Sequence, residues 1–435
     1  MKTKLFLVSL LASFWANAQT TSIADFYFEQ YLVDQGFDTN GMNGNILNSD
    51  AQAVTSLDMT DLNITNLSGI EAFTNLTHIY CVSCNLTTVD LSNNPNINTI
   101  NLRVNYNLSS FTFPTVATNL FEVNLSGCNL SSLTLPSATT IRKLYIDENP
   151  ISSIDLSNST SLQQITANNC NLNGINITNL YLNRLELNNN PIGSINLTGQ
   201  LGLSVLKVSN CNLNSLNLTD CDNSLNTIDC SNNNLNTLDF TNQTNIQFLN
   251  CSNNNLTSLV IPATVKKLYA SNNSIANNLD LSNSTDLMEL DLYGNDFQKI
   301  NLAGDNDSSY AFFDLNGNPN LDCVQVNDPS AMITNGWDFF ISSASFSTDC
   351  YTLSSNHFEQ NNFSLYPNPV ENQFTISSNN NEEIKTIEIY NIQGQLVKTE
   401  LNSNTTATEN LTPGFYLAKL TSYDGKEANI KFLKK

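Results

Sequence analysis

The sequence predicts a β-rich solenoid of about thirteen turns followed by a small antiparallel β-sandwich. Two observations carry this. A leucine-spaced template recurs thirteen times between Val54 and Leu321, with start-to-start spacings of 19 to 23 residues, and a fixed period of that length marks stacked repeats. From Phe363 the pattern changes to short alternating runs parted by Gly and Asn, which read as paired strands.

The chain opens with Lys2 and Lys4, an apolar run from Leu5 to Trp15 and the small-residue stretch Ala16-Asn17-Ala18. This is the layout of a cleaved secretory signal, residues 1–18, and the run is too short to span a bilayer. No later stretch is long enough to do so, and no transmembrane segment is expected. Residues 19–53 are expected to cap the solenoid. Ile23 to Phe37 has helical spacing of apolar residues, with Gly36 near its end.

The net charge is −22. Residues 19–362 hold 31 acids and 8 bases, or −23, and residues 363–435 hold 8 acids and 7 bases, or −1. An acidic chain repels phosphate backbones, which excludes nucleic acid as a partner class. It disfavours adsorption to anionic lipid on the same ground.

The template is L-x-x-L-x-L-x-x-N/C-x-L-x-x-L-x-L, seen plainly in "LNTIDCSNNNLNTLDF" from Leu225 to Phe240. Positions 4 to 6 alternate as in a short parallel strand, and positions 1, 4, 6, 11, 14 and 16 point inward to one shared core. Strands about 4.8 Å apart make thirteen turns roughly 60 Å long. So short a repeat leaves no room for a return helix, so extended or 3₁₀ backbone is expected there, as around Asp90, Asp155 and Asp280.

Position 9 explains the asparagines. The chain turns sharply after each strand and leaves backbone polar groups facing inward, where an unpaired one costs about 1–3 kcal/mol. An Asn amide offers donors and an acceptor together. Asn105, Asn149, Asn190, Asn233, Asn254, Asn273, Asn295 and Asn318 should form a ladder, with Cys84, Cys128, Cys170 and Cys211 in the same place in alternate turns. Like-placed cysteines two turns apart lie about 9.6 Å from each other, beyond the roughly 7 Å a disulfide allows, and are expected to be free thiols. Cys230 and Cys251 share position 6 in adjacent turns; the distance permits a bond and the parallel side-chain directions oppose it. Cys81-x-x-Cys84 has a metal-site spacing but no second pair, so no metal is expected.

This template resembles the leucine-rich repeat family, specifically the short bacterial repeats of the internalin kind, over about residues 54–321. The resemblance implies a curved solenoid whose strands line a concave face that binds macromolecules. Residues 322–353 are aromatic-rich and bracketed by Cys323 and Cys350, off the repeat register. In an exported chain this reads as a disulfide-closed C-terminal cap.

Residues 354–362 form a polar linker. Residues 363–435 look like the C-terminal sorting domain of the type IX secretion system of Gram-negative bacteria. The match rests on Tyr366-Pro367-Asn368-Pro369-Val370, Ile389-Tyr390-Asn391 with Gly394, Pro413-Gly414-Phe415-Tyr416 and a Lys-rich last strand. It implies the secretion machinery as a partner, and a destination outside the cell or on the outer surface.

No chemistry is expected. The sequence holds two histidines, His78 and His357. It contains no zinc-protease, nucleophile-elbow or phosphate-loop motif. Gly304 to Tyr310 is acidic but lacks calcium-loop spacing, and reads as a solvated turn. No cofactor is implied, and the chain is expected to act as a monomer.

What remains is surface. Arg103, Arg142, Lys143, Arg184, Lys207, Lys266 and Lys267, with Tyr80, Phe121, Tyr145, Phe248, Tyr269 and Tyr293, fall on outward strand positions or beside them. Arg and aromatics are favoured at binding hot spots. A protein or glycan ligand is therefore expected on this face, centred on a stripe of Arg142, Tyr145, Arg184 and Lys207 on successive turns. The competing expectation is plain charge pairing with Glu122, Glu148, Glu186 and Glu289. A second function class is an array binder that meets a polysaccharide, mineral or ice surface through its Ser/Thr/Asn rows.

Overall fold

The computed structural model describes residues 19–435 except 138, 179, 222, 305–309, 351–362, 379–382 and 424–426. The signal peptide, the linker and most of the acidic turn after Gly304 lie outside the described residues. The chain divides after Cys350 into two compact units.

In the first unit, thirteen three-residue strands from Ser56–Asp58 to Phe312–Asp314 form one parallel sheet in chain order. Neighbours pair without slippage, as Thr227, Ile228 and Asp229 do with Phe248, Leu249 and Asn250. The middle residue of each strand faces the interior. Ile79, Leu144, Ile228 and Leu290 are wholly buried, and each such side chain contributes about 1.5–3 kcal/mol.

Position-9 amides bridge adjacent turns. Asn233 Nδ2 donates to Val208 O of the turn before (2.8 Å) and Cys230 O of its own turn (2.9 Å), while Oδ1 accepts from the Leu213 N–H (2.9 Å). Asn149 repeats this with Leu125 O, Ile146 O and the Leu130 N–H. The cysteines reproduce only the donor half: Cys128, Cys170 and Cys211 give S–H to Leu102 O, Ile146 O and Leu187 O. A thiol offers the neighbouring N–H no good acceptor. In each turn that precedes one of these three, the position-11 N–H bonds its own position-9 carbonyl instead: Leu108 to Asn105, Ile151 to Asn149, Ile192 to Asn190.

One expectation fails. Cys84 is not free but bonded to Cys81, with Cα atoms 5.8 Å apart. The reason is visible in the other turns, where a position-9 amide reaches the position-6 carbonyl three residues earlier, as Asn105 does to Leu102. The side chain at 9 therefore lies over residue 6. The two-turn distance was the wrong one to weigh, because this turn carries cysteine at both places. Cys128, Cys170, Cys211, Cys230 and Cys251 are free and buried. Burial pushes the Cys128, Cys170 and Cys211 thiols up to about 11 and that of Cys251 to about 12.

Position 8 explains the asparagine that stands just before the ladder residue in each NNN run. Ser83, Val104, Glu148, Asn169, Asn189, Asn210, Asn232, Asn253 and Asn272 sit at φ of 53° to 63°, and Gly127, Gly294 and Gly317 fill the same place in other turns. Asn tolerates this left-handed geometry better than other residues with a Cβ. Their exposed amides also chain together, Asn189 to Asn169 (2.8 Å) and Asn210 to Asn189 (3.0 Å).

The return path is extended, with short parallel pairs such as Thr88–Asp90 against Ser110–Thr112; among the described repeats Ile70–Ala72 alone is 3₁₀. A second amide device recurs here. Gln200 donates to Ile177 O and Leu180 O, and Gln243 to Leu218 O and Cys221 O.

Both solenoid ends are covered. The predicted helix is shorter than its pattern, α1 (Phe26–Asp34), because Asp25 caps its first turn by accepting from Tyr27 and Phe28 N–H. A loop, a strand pair and a second helix, α2 (Asn48–Ala53), complete the cap. At the far end α3 (Pro329–Thr334) and a 3₁₀ turn lay Trp337 over Tyr310 and Phe313. Cys323 and Cys350 are bonded, with Cα atoms 5.8 Å apart.

The second unit is a sandwich of a three-stranded and a four-stranded antiparallel sheet around Phe374, Ile387, Ile389, Ala418 and Phe432. Asn368 ties Tyr366-Pro367-Asn368-Pro369 to the last strand, accepting from the Leu433 N–H (3.0 Å) and donating to Lys431 O (3.3 Å). Gly394, at φ 74°, makes the tight turn after Asn391. Gly414, at φ 155°, begins the strand Gly414–Ser422.

Candidate binding face

Each strand of the long sheet presents two outward side chains, at positions 3 and 5, and register aligns them into rows. One row runs Glu122, Lys143, Gln164, Arg184, Val205, Thr227, Phe248, Lys267, Glu289. The other holds Tyr145, Thr166, Glu186, Lys207 and, further on, Tyr269. Arg142 and Lys266 precede their strands and stand at the sheet margin. The expected stripe is thus corrected in one respect. Arg142 and Tyr145 belong to one turn, and the strand Gln164–Thr166 separates them from Arg184.

The bases are matched by acids directly opposite. Lys143 meets Glu122 at 3.1 Å and Lys267 meets Glu289 at 2.7 Å. Glu186, largely buried, is held between Arg184 on its own strand and Lys207 at 3.4 Å. Lys266 reaches Asp286 at 3.5 Å. Lys143–Glu122, Lys207–Glu186 and Lys267–Glu289 are cross-strand neighbours, and partly exposed pairs are each worth about 0–1 kcal/mol. Pairing therefore sets charge pattern more than stability. Glu148 takes no part, since it occupies a left-handed position 8.

The aromatics are joined to the same network. Arg142 and Lys143 lie 5.9 and 5.6 Å from the Phe121 ring centroid, and Phe248 packs tilted against Tyr269 at 5.7 Å. The Tyr269 hydroxyl donates to Glu289, and that of Tyr145 to Gln164 Oε1 (3.2 Å). Burial, then the nearby Glu122, raises the Tyr145 pKa. His78 stacks beside Tyr80, its Nδ1 2.8 Å from the Thr77 hydroxyl.

Sequence reasoning missed the margin at position 7. Asp147 accepts from Ser126, Thr166 and both nitrogens of Asn168. Asn168 passes the pattern to the Asn188 N–H, and Asn188 to Ser209. The signal was present as a polar residue three after each strand centre, but polarity there does not distinguish a solvated side chain from a bridging one.

Residues 364–435 match the family described as the secretion system C-terminal sorting domain. No curated protein matches the chain. Among solved structures, the functional domain of InlJ from Listeria monocytogenes, described as including a cysteine ladder, is 19% identical. The match covers 96% of this chain and 99% of that one, with a TM-score of 0.56. The leucine-rich repeat protein LIC12759 from Leptospira interrogans is 15% identical, covering 68% and 84%, with a TM-score of 0.48. The internalin InlF from Listeria monocytogenes is 15% identical over 74% and 94%, with a TM-score of 0.46. The first unit thus has the fold of a leucine-rich repeat solenoid. The sorting domain directs the chain to secretion or the outer surface, and no described helix is long and apolar enough to cross a membrane.

Proposed function

We propose that this leucine-rich repeat solenoid, exported through its sorting domain, is an adhesin-like binder that holds a protein or glycan on the outward face of its long sheet. One observation supports this most: among the described residues, the ion pairs of Lys143, Arg184, Lys207, Lys266 and Lys267 all lie on that face or its margin. Phe121, Tyr145, Phe248 and Tyr269 stand among them. Paired charges and tethered tyrosines form a pre-arranged polar surface, which lowers the ordering cost of binding. The type IX machinery would be the second partner, through residues 363–435, and the solenoid itself works as a monomer without catalysis.

The array reading has less support. Its convex threonines are spaced regularly, but the hydroxyls are turned onto their own chain, Thr178 to Asn176 (2.9 Å) and Thr219 to Asn217 (2.7 Å).

The test is a glycan and protein array probed with the purified mature chain, followed by the double variant Tyr145→Ala, Arg184→Ala against any hit. At least a tenfold loss, about 1.4 kcal/mol, is expected with thermal stability retained. Undiminished affinity would move the site off this face.

A further inference from the structure

The aromatic side chains of the long sheet change character at its C-terminal end. Phe121, Tyr145, Phe248 and Tyr269 are half-buried among their neighbours. In the last two repeats and the cap, Met288, Tyr293, Phe312, Phe339 and Phe340 are instead exposed by 38% to 79%. Register brings them together. Phe312 follows Glu289 in the row of position 3, and Met288 precedes Glu289 in the chain. Phe340 extends the other row: its carbonyl accepts from the Leu315 N–H at 2.7 Å, as that of Asp314 accepts from the Leu292 N–H at 2.8 Å. The 3₁₀ turn Trp337–Phe340 thus continues the sheet edge by one place. Tyr293 leans over the next turn, where a Cβ on Gly317 would stand 3.3 Å from its ring. Exposed apolar groups gathered in one place mark an interaction surface.

The charge among these rings is the second observation. Asp291 and Asp314 stand opposite each other on adjacent strands, which is unfavourable for like charges. Elsewhere on the face Glu122, Glu186 and Glu289 each meet a base, whereas no described ion pair includes Asp291 or Asp314. Each accepts one backbone N–H, Asp291 from Tyr293 at 3.1 Å and Asp314 from Asn316 at 2.9 Å. Burial raises the Asp291 pKa, with a contribution from Asp314. Asp338, exposed, adds a third acid two residues before Phe340. Residues 268–350 hold twelve acids and one base, Lys299, which lies on the return path and donates to Cys350 O. Carboxylates flanked by aromatic rings attract a cation on an apolar stem, through ion pairing and through the ring faces.

We infer that this end of the outward face docks a basic segment of a partner protein, with lysine or arginine side chains laid across Phe312, Phe340 and Tyr293 and their charges on Asp291 and Asp314. The inference rests on the reading of this face as a binding surface, and adds the chemistry of the partner. A metal ion does not fit, because no three His, Cys, Asp or Glu converge among the described residues. An anionic glycan or an acidic protein is repelled by the local charge. The site stands six strands from Arg184, about 29 Å along the sheet, so the two places can be altered separately.

The test uses the full mature chain with fluorescein-labelled deca-arginine and deca-lysine. Polarisation at about 0.15 M salt should show saturable binding of both, tighter for deca-arginine because guanidinium planes stack on rings. Trp337, which packs against Phe340 at 6.1 Å, should change its emission as unlabelled peptide is added. Asp291→Asn with Asp314→Asn keeps both backbone acceptors and should weaken binding at least tenfold. Phe312→Ala should weaken it about two- to fivefold with the charge unchanged. Asp155→Asn with Asp239→Asn removes the same charge from exposed positions on the return path and should leave affinity unchanged. An equal loss from that second pair would mean that the peptides read net charge alone, and would overturn the site. Absence of saturable binding would also overturn it, yet leave the face itself to the array hit and its Tyr145→Ala, Arg184→Ala variant. Peptide binding lost in Tyr145→Ala, Arg184→Ala but kept in the Asp291, Asp314 variant would overturn the end site while sustaining the face.

Discussion

Replacing Asn233 by Ala tests the ladder in the middle of the solenoid. Its Oδ1 accepts from two backbone N–H groups, Cys211 at 3.0 Å and Leu213 at 2.9 Å. Its Nδ2 serves Val208 O and Cys230 O. A carbonyl keeps a second lone pair and tolerates loss, but each N–H would be left buried and unpaired at about 1–3 kcal/mol. The expected cost is therefore about 2–6 kcal/mol. Asn233→Cys should cost less, since sulfur can still donate to Val208 O as Cys211 does to Leu187 O. Asn232 next door faces outward, yet its φ is 55°, so Asn232→Ala should cost about 1–2 kcal/mol through backbone strain and Asn232→Gly close to nothing. Urea unfolding followed by circular dichroism gives the sheet, and Trp337, the sole tryptophan after residue 18, gives the C-terminal cap. Equal losses at 232 and 233, or a loss below about 0.5 kcal/mol for Asn233→Ala, would refute the assignment of the bridging role.

Peptide mapping without reductant should recover Cys81 linked to Cys84 and Cys323 linked to Cys350. Cys128, Cys170 and Cys211, whose burial raises their pKa to about 11, should alkylate only after unfolding; native labelling near pH 8 would contradict their placement. Deleting residues 363–435 should leave the solenoid folded, because the two units have separate cores, while the chain accumulates in the periplasm. Asn368→Ala should destabilise the sorting domain by about 1–3 kcal/mol, read from its unfolding as an isolated domain. An unchanged midpoint would mean the link to Leu433 and Lys431 contributes nothing.

Much of this was legible in the sequence because the repeat is periodic. Thirteen copies fix the positions of Leu225, Ile228 and Leu235 in the core and of Asn233 in the ladder, since any other register exposes every leucine at once. Side-chain partnerships were less legible. That Arg184 shares Glu186 with Lys207 depends on which residues register places opposite each other, and only the outward direction could be read from the strand pattern. The Cys81–Cys84 bond was hidden because it follows from the curl of a single turn, where the side chain at position 9 folds over residue 6. Position 8 was missed for a related reason: exposure says nothing about the sign of φ, although the double and triple asparagines carried the signal.

The alternation of Asn and Cys has a consequence for how such a protein can grow. In the cysteine turns the position-11 amide is bonded by the turn that follows: Leu86, Leu130, Leu172 and Leu213 donate to Asn105, Asn149, Asn190 and Asn233. An asparagine turn before a cysteine closes itself, and in two of them proline, Pro150 or Pro191, removes the position-10 N–H. Losing a cysteine turn joins two asparagine turns, an arrangement already present from Asn233 onward. Losing an asparagine turn sets two thiols side by side and removes the amide acceptor that the first cysteine turn's position-11 N–H uses. Over its first half, then, the solenoid has a grammar of couplets, and lineages that lengthen or shorten it there should do so by pairs of turns, about 42 residues at a time.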